Sequence, residues 1–295
     1  MNEISCIFCN SKDITPTAFP QPTHFNGKLF EYKRCGSCGL VFIDPIPGEN
    51  DLKAMYPIGY HEAFYFQETP TDYSFLFNKL KPVLQSGSLL DYGCGDGSFL
   101  QYMSGKGFKS TGTEYNPLLV NKLQEQYPDS KFYTIDDFWK ENDLEYDVIH
   151  LGDVLEHMTT PQDLLVRLMS RIKPGGLLLV HGPLENNSSI GLTVRKTLSK
   201  LMSGLSRRSY THTPYHIIFS DRSNQKALFE HSGYSTLVFD VYETPWPYPS
   251  TWSWKPTAAI KYLIAQVSVG ASKMSGNKLG NRFVFIGKKP NEPVN

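Results

Sequence analysis

Three glycines at alternate positions follow a short apolar run in the stretch "SLLDYGCGDGSFL", residues 88–100. The apolar residues lead into Asp91, and Gly93, Gly95 and Gly97 come directly after it. Glycine tolerates positive φ and lets the backbone approach a ligand closely, because it has no side chain to obstruct either. The stretch therefore predicts a buried strand, a ligand-binding turn and the start of a helix.

Strand-like apolar runs alternate with helix-like segments from about residue 74 to residue 183. Helices are predicted by "SFLFNKLKPVL", "PLLVNKLQEQYP" and "TPQDLLVRLMSRIKPGG", the last stopping at its Pro-Gly-Gly, and strands by "KSTGTEYN", "KFYTIDD", "YDVIHLGD" and "LLLVHGP". This alternation is typical of a parallel, doubly wound α/β sheet. Ligands of such sheets bind beyond the carboxyl ends of the strands, and the glycine turn falls at one of these ends.

The spacing of the glycines differs from the patterns that bind dinucleotides and phosphates, and this restricts the class of ligand. The dinucleotide pattern is G-x-G-x-x-G, whereas here the third glycine comes one position early and Ser98 stands at the sixth position. Glu114 ends the second predicted strand, where its carboxylate can accept hydrogen bonds from two ribose hydroxyls. The chain has no phosphate-binding G-K-[ST] at this turn. The pattern indicates a nucleotide-like ligand that the protein holds through the hydroxyls of its ribose.

These motifs resemble those of class I S-adenosylmethionine-dependent methyltransferases. "LLDYGCGDGSFL" is similar to the first motif of that family, "TGTEYNP" to its second-strand motif, and "YDVIHLGDVLEHMTTPQDLLVRLMSRIKPGGLLLV" to its fourth strand, next helix and fifth strand. "YSTLVFDVYE" and "NRFVFIGKKP" resemble the sixth and seventh strands. The resemblance implies an α/β, Rossmann-like seven-stranded methyltransferase sheet in the order 3-2-1-4-5-7-6, an enzymatic activity, and S-adenosylmethionine as cofactor.

The resemblance also assigns cofactor contacts. The three glycines would line the methionine and ribose, Glu114 would hold the ribose hydroxyls, and Tyr115 would lie against the adenine. Either acidic residue at the end of the third strand would meet the adenine amino group, unless both only cap the next turn; Tyr115 is alternatively a solvent-exposed residue. The complete predicted set is Asp91, Tyr92, Gly93, Gly95, Gly97, Glu114, Tyr115, Asp136, Asp137, Leu151 and Gly152, with Asp153 beside the methionine arm.

Histidines near the carboxyl ends of the strands are candidates for a general base, which a hydroxyl, ammonium or carbon-acid acceptor needs. His157 lies in "DVLEHM" after the fourth strand, and it is either a base or a positioning residue. His216, in "YHIIFS", is the second candidate, because sugar C-methyltransferases of the resembled family use a histidine in a similar setting. Ser220 is expected to cap the helix that follows, and His181 is interpreted as a packed residue at a strand end.

Two C-x-x-C pairs occur near the N-terminus, and they predict a structural zinc site. Cys6 and Cys9 form one pair, and Cys35 and Cys38 form the other. Four thiolates complete a tetrahedral site with no open position, as in structural zinc sites. An Asn26-Gly27 hairpin is expected between the pairs. The alternative is four buried free thiols, and a disulfide framework is not expected of a chain assigned to the cytoplasm.

The predicted organisation has three parts. Residues 1–45 form the zinc ribbon, residues 46–85 a connecting aromatic and helical arm, and residues 86–295 the methyltransferase domain, with insertions at about 184–215 and 244–280. The arm carries clustered aromatic residues, Tyr56, Tyr60, Phe64, Tyr65 and Phe66, read as packing or as a pocket wall. The second insertion carries Trp246, Tyr248, Trp252 and Trp254, which either stack on a substrate or simply pack.

Composition constrains the partners. The chain has 295 residues and no formal net charge, so nucleic-acid binding is not expected. No apolar run is long enough to span a bilayer and no signal-like N-terminus occurs, so we expect a cytoplasmic protein. A basic helix within residues 190–208 is a lid, a site for an anionic substrate group, or a membrane-surface contact.

The "CxxC … CxxCGLVF" ribbon ahead of this sheet resembles bacterial methyltransferases of sugar and polysaccharide pathways. The expected acceptor is therefore a hydroxyl or carbon of a nucleotide-linked sugar or glycan. A lipid or other small metabolite is the alternative acceptor. A non-catalytic module that binds the cofactor or a partner is the alternative of a different class.

Overall fold

The computed structural model describes residues 4–17, 19–57, 72–205, 212–245 and 248–290, with side chains left undescribed from residue 199 to 205. A seven-stranded sheet forms the centre of the larger part of the chain. Its strands are β5 (Gly87–Tyr92), β6 (Phe108–Glu114), β7 (Lys131–Thr134), β8 (Tyr146–Gly152), β9 (Ile172–Pro183), β11 (Ser235–Tyr242) and β12 (Arg282–Lys288).

Helices connect these strands. In chain order they are α1 (Glu49–Met55), α2 (Ser74–Leu80), α3 (Ser98–Ser104), α4 (Pro117–Gln126), α5 (Ile135–Lys140), α6 (Pro161–Met169), α7 (Ile190–Leu205), α8 (Arg222–His231) and α9 (Pro256–Met274). A short 3₁₀ turn covers Leu155–His157. In the described part of the chain, no helix is both long enough and apolar enough to cross a bilayer.

The sheet is mixed, in the order β11-β12-β9-β8-β5-β6-β7. The five strands from β9 to β7 are parallel, whereas β12 is antiparallel to both β9 and β11. Numbered along the chain within this sheet, the strands read 6-7-5-4-1-2-3. The prediction of an α/β fold with a mixed seven-stranded, Rossmann-like sheet is confirmed.

Alternating side chains on the central strands fill a core on each face of the sheet. Leu90 and Ile149 belong to one buried cluster, and their neighbours Leu89 and Val148 belong to the other. Because successive strand residues point to opposite faces, a strand with helices on both sides must be apolar at nearly every position. This requirement explains the uninterrupted apolar runs of the sequence.

The N-terminal residues and one short strand from later in the chain form a second, smaller antiparallel sheet. Its strands are β1 (Ile14–Pro16), β2 (Thr23–Phe25), β3 (Lys28–Cys35), β4 (Val41–Asp44) and β10 (Ile218–Phe219). The expected hairpin lies between β2 and β3: Phe25 pairs with Lys28, and Asn26 and Gly27 both have positive φ, 49° and 74°. Positive φ at both loop positions is the geometry that Asn-Gly favours in two-residue hairpins.

Several predicted boundaries are wrong. The helix expected to run to Pro174 ends at Met169, because Ile172 is fully buried and already pairs with Tyr146 of β8. The helix after "HIIFS" is capped by Asp221 rather than Ser220: the Asp221 carboxylate accepts from the amides of Ser223 and Asn224. The predicted aromatic residues Tyr60, Phe64, Tyr65, Phe66 and Trp246 lie outside the described residues.

Candidate active site

The glycine turn joins β5 to α3 at the carboxyl edge of the parallel strands. Gly93, Gly95 and Gly97 all have positive φ, 79°, 54° and 74°. A Cβ on Gly93 would lie 2.9 Å from the Val154 Cγ2 atom, and one on Gly97 would lie 3.0 Å from the Tyr127 ring. Since such close contacts and positive φ both penalise side chains, glycine is needed at these positions.

Glu114 ends β6 directly beside this turn. Its carboxylate is buried and accepts hydrogen bonds from the backbone amides of Gly95 (3.1 Å), Tyr115 (2.6 Å) and Asn116 (3.4 Å). Burial raises the pKa of Glu114, although the three amides oppose the shift. An acceptor-only group fixed against the bare backbone suits two hydroxyl donors, and the residues present therefore fit the ribose of a nucleoside cofactor.

Other residues of the predicted cofactor set occupy varied environments. The Tyr92 side chain is buried, with its hydroxyl 3.4 Å from the Trp139 Nε1 atom, so only its main chain faces the turn. Leu151 is buried in the core as well, whereas Tyr115 is half exposed. A Cβ on Gly152 would lie 2.7 Å from the His181 Nε2 atom, so this position requires glycine.

Asp136 and Asp137 do not lie at the end of the third strand, contrary to the prediction. Strand β7 ends at Thr134, and both carboxylates lie in the first turn of α5. The physical reason is an N-cap: the Thr134 hydroxyl accepts from the Asp137 amide at 3.1 Å, so the helix begins at Ile135, within the predicted strand. Asp137 also pairs with Lys140 at 2.7 Å.

Asp91 pairs with a buried histidine rather than with the turn. Its Oδ1 atom lies 2.6 Å from the His150 Nδ1 atom, and both side chains are almost inaccessible. The His150 ring stacks on Phe99 and on His181, with ring centroids 3.8 and 5.1 Å away. The two stacked imidazoles therefore lie side by side on the neighbouring strands β8 and β9. Arg282 pairs with Asp153 at 2.6 Å.

His157 and His216, the two predicted catalytic residues, lie together. Their ring centroids are 5.0 Å apart. The His157 Nδ1 atom lies 2.8 Å from the Tyr215 carbonyl oxygen and 2.9 Å from the Tyr56 hydroxyl. Because a carbonyl oxygen only accepts, Nδ1 carries the proton and Nε2 holds the lone pair of the neutral ring. The His216 Nδ1 atom is in close contact with the Glu185 carboxylate.

Their environments drive the two histidines to opposite charge states. Burial, helped by the neighbouring His216, lowers the pKa of His157 to about 4. Burial opposes the charge on His216 as well, but the hydrogen bond and charge of Glu185 outweigh it and raise the pKa of His216 to about 9. At neutral pH the site therefore holds a neutral imidazole next to an imidazolium. Environments that separate two pKa values in this way are typical of acid–base pairs.

Two acidic residues of this cluster were not predicted. Glu185 follows β9, and Glu156 is buried beside His157, with its Oε1 atom 3.9 Å from the His157 Nε2 atom. Burial raises the pKa of Glu156 to about 8. Their positions in the sequence could have identified them as site residues, because each lies just past the carboxyl end of a parallel strand. Glu156, His157 and His216 also offer donor atoms within 4.8 Å of one another, a possible metal-ligand set.

The four N-terminal cysteines converge as predicted. The Sγ atoms of Cys6 and Cys38 are 3.6 Å apart, those of Cys9 and Cys35 are 3.5 Å apart, and all four lie within 4.8 Å of one another. Tetrahedral zinc with bonds of about 2.3 Å would separate its sulfur ligands by about 3.8 Å. The arrangement fits zinc. It does not fit the alternative of four buried thiols, because Cys9 is exposed.

The chain has a Rossmann-like α/β fold, and its glycine turn and Glu114 meet at the carboxyl edge of the parallel strands. The family model described as the methyltransferase domain matches residues 63–237. The chain therefore belongs to the methyltransferase domain family.

The alignments of this chain with individual relatives cover only part of each relative's length. The ubiquinone biosynthesis O-methyltransferase of Vibrio atlanticus (strain LGP32) is 33% identical over 94 residues, which cover 30% of this chain and 40% of that protein. The trans-aconitate 2-methyltransferase of Variovorax paradoxus (strain S110) is 25% identical over 105 residues, covering 35% and 40%. The chain thus spans less than half the length of these curated relatives.

The fold is shared with solved structures at low sequence identity. One chain in the complex between the Haloferax volcanii Trm112 methyltransferase activator and a methyltransferase superposes with a TM-score of 0.51 at 14% identity. The match covers 82% of this chain and 95% of that one. At this identity the likeness shows the fold alone.

Proposed function

We propose that this protein is a class I S-adenosylmethionine-dependent methyltransferase that acts on a small molecule. One observation carries the proposal: the buried Glu114 carboxylate touches the Gly95 amide, so a ribose-binding acid and a bare backbone share one edge of the sheet. Membership of the methyltransferase domain family supports it. The cofactor, when bound, supplies a methyl group activated by the sulfonium charge.

The residues that would hold the cofactor follow from the geometry of the edge. Glu114 would accept from the ribose hydroxyls, and the main chain from Tyr92 to Gly97 would face the ribose and methionine. Tyr115, exposed next to Glu114, would cover the adenine, and Asp136 would reach its amino group. Gly152 would leave room for the methionine arm. Asp91 would support the turn through its buried pair with His150.

His157 is the proposed general base. Its proton is held on Nδ1 by the Tyr215 carbonyl, so the Nε2 lone pair is free to take a proton from an acceptor hydroxyl or carbon. The imidazolium of His216 would stabilise negative charge that develops on the acceptor, and Glu185 would keep it charged. Methyl transfer is an in-line displacement, so the remaining contribution is alignment of acceptor, methyl and sulfur.

The leading acceptor is a nucleotide-linked sugar or glycan, which follows from the sequence resemblance. A lipid or other small metabolite is the second candidate, because matched relatives are named for ubiquinone biosynthesis and for trans-aconitate. A non-catalytic cofactor-binding module is the candidate of a different class. The pairing of a neutral His157 with a charged His216 favours an enzyme over a non-catalytic module. A methyl-transfer screen against nucleotide sugars and lipid-linked glycans, with His157→Ala as the inactive control, separates these candidates.

A structural zinc ion in the ribbon completes the proposal. Cys6, Cys9, Cys35 and Cys38 would hold it, and the amides of Phe8 and Cys38 already point at Cys6 and Cys35 sulfur atoms, each at 3.5 Å. The three-part division at residues 45 and 85 remains a proposal. Strand β10 pairs with β4, so the ribbon sheet continues into the methyltransferase domain.

Titration calorimetry with S-adenosylmethionine tests the cofactor assignment. Glu114→Gln removes the charge and one acceptor from the ribose site, and hydrogen bonds to a charged group contribute about 1.5–3 kcal/mol each. We expect at least about tenfold weaker binding. The exposed Glu125→Gln is the matched control and is expected to bind like the wild type. A folded wild-type protein that does not bind the compound, or unchanged affinity in Glu114→Gln, would contradict the assignment.

A further inference from the structure

The segment from Thr244 to Asn281, between β11 and β12, has an unusual charge composition. It contains four lysines, Lys255, Lys261, Lys273 and Lys278, and no aspartate or glutamate, although the whole chain has no formal net charge. It also contains three of the four tryptophans. Lysine and tryptophan without acidic residues are typical of protein surfaces that contact the interfacial region of membranes.

Helix α9 in this segment is buried on one side and apolar on the other. Ala265, Ser268 and Ser272 are buried, and the Ser268 hydroxyl accepts from the Gly191 amide of α7 at 3.0 Å. The opposite side carries large apolar residues that are half exposed or more. These are Ile260, Leu263, Val267 and Met274, which recur at helical spacing and form one stripe. A helix that presents an apolar stripe away from its own core has a surface that water does not favour.

Exposed aromatic and basic residues lie near this stripe. Trp254, just before the helix, is 89% exposed, and the ring of Trp252 meets it edge-on at 5.8 Å. Lys255, Lys261 and Lys273 are exposed, and within the described residues none of them forms an ion pair. Lys261 and Lys273 lie about 130° and 110° around the helix from the stripe, on opposite sides of it, and Lys255 directly precedes the helix. Their heads would reach lipid phosphates while their stems follow the apolar surface.

The stripe belongs to the same edge of the sheet as the proposed active site. Tyr242 at the end of β11 pairs with Arg282 at the start of β12, and Arg282 pairs with Pro183 at the end of β9. The segment carrying α9 therefore leaves and rejoins the sheet at the carboxyl edge. Helix α7, on which α9 packs, begins at Ile190, just beyond the same edge.

We propose that the α9 stripe, with Trp254 and the three lysines, docks the protein onto an anionic lipid bilayer surface. The charges near this face favour a lipid bilayer over a second copy of the chain. An apolar face that has lysines near it and no acidic residues is attracted to phosphate headgroups, whereas a second copy of the same face would repel it. Docking there would place the active-site edge near the membrane. The inference deepens the proposed function by favouring lipid-linked acceptors, and the binding itself does not depend on the cofactor.

Vesicle flotation of the full chain tests the docking. We expect the protein to float with vesicles of phosphatidylcholine plus phosphatidylglycerol, and to stay in solution with phosphatidylcholine alone or at raised salt. Lys255→Gln, Lys261→Gln and Lys273→Gln are each expected to weaken binding by about fivefold at low salt, since a lysine near an anionic surface contributes about 1 kcal/mol.

Separate substitutions test the contribution of the apolar stripe to vesicle binding. Leu263→Glu with Val267→Glu is expected to reduce vesicle binding by at least about tenfold, because both exposed side chains would insert into the interface. The matched control is Val166→Glu on α6, which replaces a similarly exposed residue away from the stripe and is expected to change nothing. Titration with S-adenosylmethionine on the same samples shows that the variants fold, and it reports separately on the proposed function.

Two results would overturn the docking. One is wild-type protein that binds the cofactor but does not float with anionic vesicles. The other is a concentration-dependent dimer, seen by light scattering, that the Leu263→Glu and Val267→Glu changes dissolve, because then a second copy covers the stripe.

Discussion

Replacing Glu185 by glutamine should remove the positive charge of His216 at neutral pH. The His216 pKa is raised from 6.5 to about 9, chiefly by the Glu185 hydrogen bond and charge against the opposing effect of burial. The Glu185→Gln side chain would keep an oxygen acceptor for the ring but not the charge. At pH 7.5 the imidazolium fraction would fall from about 97% to about 9% if the pKa returned to 6.5.

The same shift predicts how stability depends on pH. A pKa that is higher in the folded state stabilises the protein fully below the unfolded value of 6.5, and the contribution is lost as pH rises through 9. The difference corresponds to about 3 kcal/mol at most, and solvent screening of a side chain that is 32% exposed reduces it to about 2 kcal/mol. We therefore expect Glu185→Gln to be less stable than wild type by about 2 kcal/mol near pH 6 and by less than about 1 kcal/mol near pH 9.

Two measurements check this prediction. Proton–carbon spectra of protein labelled at histidine Cε1 give the titration curve of each of the eight histidines, and His216→Gln identifies the signal. Urea unfolding across the pH range gives the stabilities. Glu230→Gln is the control, because it changes an exposed carboxylate on α8 that pairs with Lys226. It should change neither the pKa of His216 nor the pH dependence of stability. A wild-type His216 that titrates near 6.5, or a His216 pKa that is the same in Glu185→Gln, would refute the assignment.

Further predictions concern metal binding and packing. Cys35→Ser should lose the zinc measured by elemental analysis, lower the melting temperature, and alter the His216 signal, whereas an unchanged zinc content of about one per chain would exclude the four-cysteine site. Gly152→Ala should destabilise the fold by about 1–3 kcal/mol, because its Cβ would lie 2.7 Å from the His181 Nε2 atom. Gly270→Ala, in a helix with open space around it, should instead stabilise by about 0.5–1 kcal/mol, and denaturant unfolding that gives both variants equal stability would contradict the packing argument.

The sequence predicted most reliably what depends on local patterns. Buried strands read as apolar runs, the Asn26-Gly27 turn requires two positive φ angles, and the glycines from Gly93 to Gly97 mark one strand-to-helix turn. Each of these features is decided within a few residues, so the chemistry of the segment is enough to identify it. The same holds for the two C-x-x-C pairs, whose four cysteines converge as their spacing predicts.

Features that depend on distant partners could not be predicted in this way. Ile172 follows directly on a helical pattern, and only its pairing with Tyr146 shows that the strand begins there. Glu185 and His216 are 31 residues apart, and nothing in either neighbourhood indicates that they form an ion pair. The charge states of the two histidines follow from burial and from this pair, so their roles required the structure.

The ribbon has a structural connection to the proposed acid–base pair. Strand β4 begins three residues after Cys38, and its Ile43 amide donates to the Ile217 carbonyl at 2.9 Å. The Ile217 amide in turn donates to the Glu156 carbonyl at 2.7 Å, so the segment that carries His216 is held between the ribbon sheet and the turn that carries His157. A metal ion held by the four cysteines would make the ribbon end of this sheet more rigid. Loss of the proposed zinc ion would therefore be expected to loosen the segment that carries His216, on one side of the proposed active site.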